Sequence, residues 1–231
     1  PEATESSSIV GPGVVQIESG IRYSERDAAA GNVDRLSLLD SLVRYGLLET
    51  VELRLDWNGF ISQELSGQRT DNGISDAALG AKVFLHSETR QFGETALLGQ
   101  LNLPVGDEAF SSDSVDPSVI LAMSHTLVND FRLGYSVGVG FDTIKKANGK
   151  EDTDSSVLFG IQLERTYTDR VGGYIEIAGA QGLSADADPV ALGLGSHYLL
   201  LDNLQLDAQV GLGLSDDAED LFLGIGLAYL P

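Results

Sequence analysis

Apolar and polar residues alternate with a period of two along most of this chain. From Val51 to Ile61 one face carries the apolar residues Val51, Leu53, Leu55, Trp57 and Ile61, and the other carries Glu52, Arg54, Asp56 and Asn58. Segments 131–142 and 204–214 repeat the pattern. Successive side chains of a β-strand point to opposite sides, whereas helical geometry would scatter these apolar positions around a cylinder. The alternation therefore predicts strands with one apolar and one polar face.

Twelve such segments follow one another, and the links between them alternate between long and short. The predicted strands are 14–23, 37–45, 50–61, 73–86, 94–103, 117–127, 131–142, 155–167, 170–180, 189–200, 204–214 and 220–230. Outer-membrane barrels combine tilted strands of about 9–11 residues with short turns at one rim and longer loops at the other. The sequence predicts an all-β fold: a single 12-stranded antiparallel up-and-down transmembrane β-barrel over residues 14–231. Residues 1–13 form a separate N-terminal segment, either flexible or docked in the lumen.

The apolar faces are predicted to contact lipid and the polar faces to line the lumen. Charges occur in mid-strand on the polar faces, and twelve strands make a barrel wider than the eight that inward side chains just fill. Aromatic residues form two groups, as expected for two membrane interfaces. The groups are Tyr23, Trp57, Phe141 and Phe159 toward the long loops, and Tyr45, Phe131, Tyr167, Tyr198 and Tyr229 toward the short turns. The alternative is a soluble sandwich or lipocalin-like barrel with a dry aromatic core.

The same alternation predicts which residues line the lumen. The predicted lining residues are Glu18, Arg22, Asp40, Arg44, Glu52, Arg54, Asp56, Asp76, Lys82, Arg132, Asp142, Glu164, Glu176, His197 and Asp207. Their charges form either a salt-bridge network that closes the lumen or a cation-preferring pathway.

Glycines are predicted to form one wall of the lumen: Gly138, Gly140, Gly193, Gly195, Gly211, Gly213, Gly224 and Gly226. They act either as a curvature device or as a smooth wall opposite the charged one. We favour the smooth wall, which leaves an off-centre passage or a dock for residues 1–13.

Composition removes several classes of function. Against 14 Lys and Arg stand 35 Asp and Glu, a net charge of -21, which argues against nucleic acid as a partner. No cysteine is present, so disulfides and thiolate chemistry are excluded. No run approaches 18 apolar residues, so no transmembrane helix is predicted.

The candidates for chemistry are few, and we predict a non-enzyme with no cofactor and no metal centre. His86, His125 and His197 lack metal-ligand spacing. His125 with Thr95 is a weak candidate for a membrane-barrel hydrolase, and an interfacial histidine is the favoured interpretation. The acidic loops are expected to be solvated rims with at most weak Ca²⁺ binding. These loops contain Asp107, Glu108, Asp113 and Asp116; Asp186 and Asp188; and Asp216, Asp217, Glu219 and Asp220.

Several short motifs lie on the predicted strands. They are Leu42-Val43-Arg44-Tyr45-Gly46-Leu47 with Val51-Glu52-Leu53-Arg54, Gly73-Ile74-Ser75-Asp76 with Gly80-Ala81-Lys82, Leu101-Asn102-Leu103-Pro104-Val105-Gly106, and Asn203-Leu204-Gln205-Leu206-Asp207 with Gly211, Gly213, Leu214, Ser215, Asp220 and Gly224. On these motifs the chain resembles the outer-membrane barrels of the phenol-degradation meta-pathway family, usually described as transporters. The resemblance implies a channel or transporter for small organic or aromatic compounds, and it brings no catalytic or ligand residues. Such barrels commonly end in an aromatic residue, whereas here Tyr229 is followed by Leu230-Pro231.

The sequence thus predicts a passive channel or transporter for small solutes, with cations preferred. Its location is the outer membrane of a Gram-negative bacterium, with lipid as partner and the signal peptide already removed before Pro1. The alternatives are a structural or adhesive barrel without transport and a membrane-barrel hydrolase.

Overall fold

A computed structural model describes residues 3–28, 31–66, 69–145, 151–183 and 188–231. Its strands, all paired antiparallel, are β1 (Val15–Ala28), β2 (Gly31–Leu48), β3 (Val51–Trp57), β4 (Phe60–Leu65), β5 (Arg69–Ile74), β6 (Ala77–His86), β7 (Glu94–Leu103), β8 (Asp116–Thr126), β9 (Phe131–Lys145), β10 (Glu151–Thr168), β11 (Val171–Gly182), β12 (Val190–Leu201), β13 (Leu204–Gly213) and β14 (Leu221–Tyr229). Among these residues there is no helix with the length and apolarity needed to cross a membrane.

The sheet closes on itself through β1, which pairs with both β14 and β2. Between these two contacts the strands follow their order in the chain. Both β3 and β4 pair with β2, so together they occupy one place in the wall, and β5 and β6 occupy the next. Fourteen strands therefore fill twelve places. The predicted 12-stranded up-and-down barrel is confirmed.

A glycine separates β3 from β4. Gly59 has φ +70°, and a Cβ on it would lie 2.0 Å from the carbonyl oxygen of Leu38, so a side chain cannot be accommodated without movement. The break reverses which face of the sheet the odd-numbered residues after it point to. Ile61, which the alternation places on the outward face, pairs with Ser37 and is 0% exposed. The outward assignment of Ile61 is therefore wrong.

The strands at the long-loop rim extend further than the sequence predicts. Segments 24–36 and 62–72, expected to be loops, contain the hairpins that continue β1 into β2 and β4 into β5. Likewise β9 runs to Lys145 and β10 starts at Glu151, inside the expected loop 143–154. Alternation is strong only where one face meets lipid. Beyond the membrane both faces of the sheet contact water. The backbone hydrogen bonds between strands continue there without the alternation of apolar and polar residues.

Apolar side chains surround the barrel instead of filling it. Leu55 is 44% and Val137 47% exposed, and the same outward face carries Leu53, Val139, Leu206 and Val210. At the short-turn rim Tyr45, Tyr167, Tyr198 and Tyr229 are also exposed. This arrangement is that of a lipid-facing surface with an aromatic belt, and it is incompatible with a dry aromatic core.

An arginine on the outward face should be costly in a bilayer. We expect Leu55→Arg and Val137→Arg each to lower the free energy of unfolding by about 2–4 kcal/mol near the midplane, because the charge has to leave water. Urea titration of the protein in lipid vesicles measures this. Val128→Arg is the matched control, since Val128 lies in the β8–β9 turn and is already 78% exposed. Equal stability of all three variants would contradict the lipid-facing assignment.

Candidate functional site

The N-terminal segment, residues 3–13, lies inside the barrel. It leaves the wall at the short-turn rim, where the backbone N–H of Gly13 donates to the carbonyl of Gly46 at 2.7 Å. Gly46 permits this close approach, because a Cβ there would lie 1.8 Å from the carbonyl oxygen of Gly11. At the other end of the segment the N–H groups of Ala3 and Thr4 donate to the carboxylate of Glu176 on β11 at 3.2 and 3.0 Å. The segment thus crosses the lumen from β2 to β11.

Lys82 and Arg54 hold the middle of the segment through Glu5. The Nη1 of Arg54 donates to Oε1 of Glu5 at 2.7 Å, and Nζ of Lys82 donates to the same oxygen. Lys82 also donates to the carbonyls of Ser6 at 2.8 Å and Ser8 at 3.3 Å. Its side chain is 1% exposed, and a buried ammonium needs such partners to remain charged.

Arg44 and Glu52 hold the end of the segment that leads into β1. Their side chains form two hydrogen bonds of 3.0 and 2.9 Å across β2 and β3. Glu52 is fully buried and also accepts the N–H of Val10 at 2.8 Å, while Arg44 donates to the carbonyl of Ser8 at 3.0 Å. Glu18 of β1 adds a longer ion pair with Arg44 at 3.9 Å. Each charge of this cluster therefore has an opposite charge or a backbone partner.

A third contact involves Ser7. Its hydroxyl lies 2.9 Å from Glu94 on β7 and 2.8 Å from the hydroxyl of Ser124 on β8. Arg132 of β9 donates to Glu94 at 2.8 Å and to Ser124 at 2.7 Å. The segment therefore rests on side chains contributed by most of the strands from β2 to β11.

Three buried polar atoms have no hydrogen-bond partner among the described residues: Oγ1 of Thr4 in the segment, Nε of Arg54 beneath it and Nε2 of Gln162 on β10. An unsatisfied buried donor or acceptor costs about 1–3 kcal/mol. The contact between the segment and the wall is therefore less favourable than its ion pairs alone suggest.

A cavity of about 1050 Å³ remains between the segment and the opposite wall, formed by β12, β13, β14 and β1. Most of the predicted lumen residues line it. They are Glu18, Arg22, Asp40, Arg44, Arg54, Asp56, Lys82, Arg132, Glu164, Glu176 and Asp207, with Gly193, Gly224 and Gly226.

Four predicted lumen residues do not line this cavity. Glu52 is enclosed by Arg44 and the segment. Asp76 accepts the N–H groups of Gly106 and Ser112, so it fastens the loop between β7 and β8. Asp142 lines a smaller cavity of about 230 Å³ together with Gly140. His197 faces inward, opposite Asp207, and a Cβ on Gly172 would lie 2.3 Å from its ring.

Several glycines of the predicted wall are covered by neighbouring groups. A Cβ on Gly195 would lie 2.2 Å from the Tyr174 ring, and one on Gly211 would lie 2.0 Å from the Phe222 ring. A Cβ on Gly213 would lie 2.6 Å from the carbonyl oxygen of Glu219, and one on Gly138 would lie 2.5 Å from the carbonyl oxygen of Val119. These four positions do not present bare backbone to the lumen. The glycines leave room for rings and carbonyls of adjacent strands and of the β13–β14 loop, which the alternation of residues along a strand cannot show.

The loop between β13 and β14 turns into the outer mouth. Glu219 accepts two hydrogen bonds from Arg22, and Arg26 lies 4.0 Å from Asp217. Burial alone would raise the pKa of Glu219, but hydrogen bonds from Arg22 and Ser24 and the nearby Arg22 and Arg35 charges lower it below its usual value. The sequence predicts a solvated rim for this loop, whereas Asp217, Ala218 and Glu219 line the cavity.

Arg35 also lines the cavity and was missed. It lies in the segment predicted to be a loop, and a bulge shifts its parity. Leu39, with φ 64°, is left out of the β1–β2 pairing, so Ser37 and Arg35 face inward together with Asp40. A positive φ at leucine has no sequence signature.

The chemical candidates of the sequence form no catalytic arrangement among the described residues. The Nε2 of His125 contacts the Tyr135 hydroxyl at 3.1 Å, and Thr95 donates instead to the carbonyl of Gly93 at 2.9 Å. Hydrogen bonds from the side chain and backbone of Thr126 lower the pKa of Glu88, which lies beside His125. Within the described ranges no three acidic or histidine side chains converge to hold a metal ion. Asp186 of the acidic loops lies outside those ranges.

A closed barrel with an apolar exterior and a charged interior defines the architecture of an outer-membrane barrel. Residues 1–230 of the 231-residue chain match the family model described as "Putative MetA-pathway of phenol degradation", and the chain belongs to this family. The resemblance seen in its motifs is thereby confirmed.

Solved structures show the same fold. An outer membrane channel from Pseudomonas putida F1 is similar with a TM-score of 0.76 and 12% identity, over 100% of this chain and 98% of that one. The KdgM porin in complex with disordered oligogalacturonate gives 0.57 and 13%, over 92% and 98%. The translocator domain of the autotransporter NalP from Neisseria meningitidis gives 0.63 and 12%, over 96% and 90%. A search of the curated proteins finds no match.

Removing Glu52 should destabilise the barrel strongly. We expect Glu52→Ala to lower the free energy of unfolding by about 3–5 kcal/mol, because it leaves the Arg44 guanidinium without its main partner inside the wall. Urea titration in vesicles provides the measurement. The control is Glu64→Ala on β4, whose side chain is exposed and whose loss should change stability by about 0.5 kcal/mol or less. A similar small effect at both positions would refute the importance of the buried pair.

Proposed function

We propose that this protein is an outer-membrane channel for the passive passage of small solutes. The observation that carries the proposal is the cavity beside the N-terminal segment. Its lining extends from Pro189 and Ala218 near the long-loop rim to Gln16, Gln205 and Ala228 near the short-turn rim. A polar cavity that extends between the two rims of a lipid-facing barrel is better suited to the passage of solutes than to catalysis.

Family and neighbours support the same function. The matched solved structures include a channel and a porin, which also supports an outer-membrane location in a Gram-negative bacterium and a non-enzymatic role. The family description points to small aromatic compounds as solutes. The acidic lining favours cations, because an excess of one sign of charge concentrates counter-ions in a narrow space. The solute class is therefore small cationic or neutral organic compounds.

The main obstruction in the lumen is the N-terminal segment. We expect deletion of residues 3–10 to raise single-channel conductance in planar bilayers severalfold, since the ion path then includes the volume that the segment fills. Glu49→Gln in the β2–β3 turn, away from the lumen, is the control and should conduct like the parent. No current from either the parent or the deletion variant would favour the alternative of a structural barrel without transport.

Charge preference can be tested with two aromatic ions of similar size. We expect vesicles containing the protein to take up benzylammonium faster than benzoate, and the difference to shrink with added salt, because charges are screened over about 10 Å at 0.1 M. Vesicles without protein correct for permeation through lipid. Faster uptake of benzoate at low salt would contradict the cation preference.

A further inference from the structure

Four bases face the segment, and each is ion-paired: Arg44, Arg54, Lys82 and Arg132. These bases together with the acids that pair with them are called the strip. Glu5 binds Arg54 and Lys82, Glu52 and Glu18 bind Arg44, and Glu94 binds Arg132. Four bases thus stand against four acids: Glu5, Glu18, Glu52 and Glu94. The strip is electrically neutral only while the segment is in place, because Glu5 belongs to the segment and the other three acids belong to the wall.

Several acids on the rest of the cavity surface lie outside the ion pairs of the strip. Asp40, Asp56, Glu164 and Asp207 line the cavity and hold no ion pair with any residue that the structure describes. Glu176 accepts only backbone N–H groups from the segment. Arg35 is a base on this surface, and it too forms no ion pair with a described residue. The passage is therefore bounded by a neutral strip on one side and by an excess of negative charge elsewhere.

Glu5 is the only acid between Ala3 and Gly13, so one side chain of the segment carries its charge. Its carboxylate lies at the centre of the strip, between Arg54 and Lys82, and the cavity lining includes all three residues. Replacing this carboxylate by a neutral group changes the strip from neutral to a charge of +1, beside the path that ions take.

We propose that Glu5 determines the charge selectivity of the channel, by acting as the counter-ion that the N-terminal segment supplies to the bases of the wall. The segment is then more than an obstruction, because it converts a basic surface into a neutral one and leaves the acids to govern passage. This inference rests on the proposed function of a channel.

The test is the K⁺/Cl⁻ permeability ratio, from reversal potentials across planar bilayers under a KCl gradient at low salt. The parent should prefer K⁺. In Glu5→Gln the ratio should fall about fivefold, because Glu5 lines the cavity and a unit charge at roughly 7 Å in water changes the local concentration of each ion about two- to threefold in opposite directions. Glu49→Gln, the same change of charge at an exposed turn, should keep the parent ratio.

A charge-rescue variant separates counter-charge from a merely structural role. Glu5→Gln combined with Lys82→Gln restores the neutral strip and should return the ratio toward that of the parent. If Glu5 acted only by holding the segment, the double variant would remain as altered as the single one, and its conductance would rise like that of the deletion variant.

The outcomes distinguish the two proposals. A parent that conducts, with Glu5→Gln of unchanged selectivity, overturns the role of Glu5 and leaves the channel function standing. A parent and a deletion variant that both fail to conduct overturn the channel function, and the role of Glu5 with it. A drop in the ratio that Lys82→Gln reverses supports both.

Discussion

Closure of the backbone hydrogen-bond ladder is the constraint on which the rest of this structure depends. A bilayer offers no partner to peptide N–H and C=O groups, so an open sheet edge in lipid would leave a whole row of them unsatisfied. Pairing of β1 with both β14 and β2 removes that edge. Once the sheet is closed, the outward face has to be apolar, and every charged side chain at membrane depth has to point inward.

Twelve strands enclose more space than their inward side chains fill, and the chain uses its own N-terminal segment to occupy part of it. The occupation is uneven. Ion pairs of Glu5 and hydrogen bonds of the backbone and of Ser7 hold the segment against the strands from β2 to β11, while β12, β13, β14 and β1 face the remaining cavity. Buried charges of this kind add little net stability, yet loss of one partner is expensive, so they fix where the segment lies.

The lipid-facing part of the fold could be predicted from sequence because lipid imposes one rule on every residue that it touches. Leu55 and Val137 illustrate this, and strand number and orientation follow from such positions. Prediction ended where a local backbone feature changes which face a residue points to, as at Leu39 and Gly59. For that reason Arg35 was missed and Ile61 was placed on the wrong face. Glu5 was not identified either, because an acid in a polar stretch resembles any solvated residue until its cationic partners are known.

The hydrogen bond between Gly13 and Gly46 ties the segment to the rim within a few residues of its binding site. A ligand on so short a tether meets its site at an effective concentration on the order of millimolar, whatever the amount of protein in the membrane. Binding of the segment is thus an intramolecular equilibrium, and its occupancy is the same for one copy of the barrel as for many. Any agent in the surrounding medium that competes for the bases of the wall has to overcome that local concentration before it can take the place of the segment.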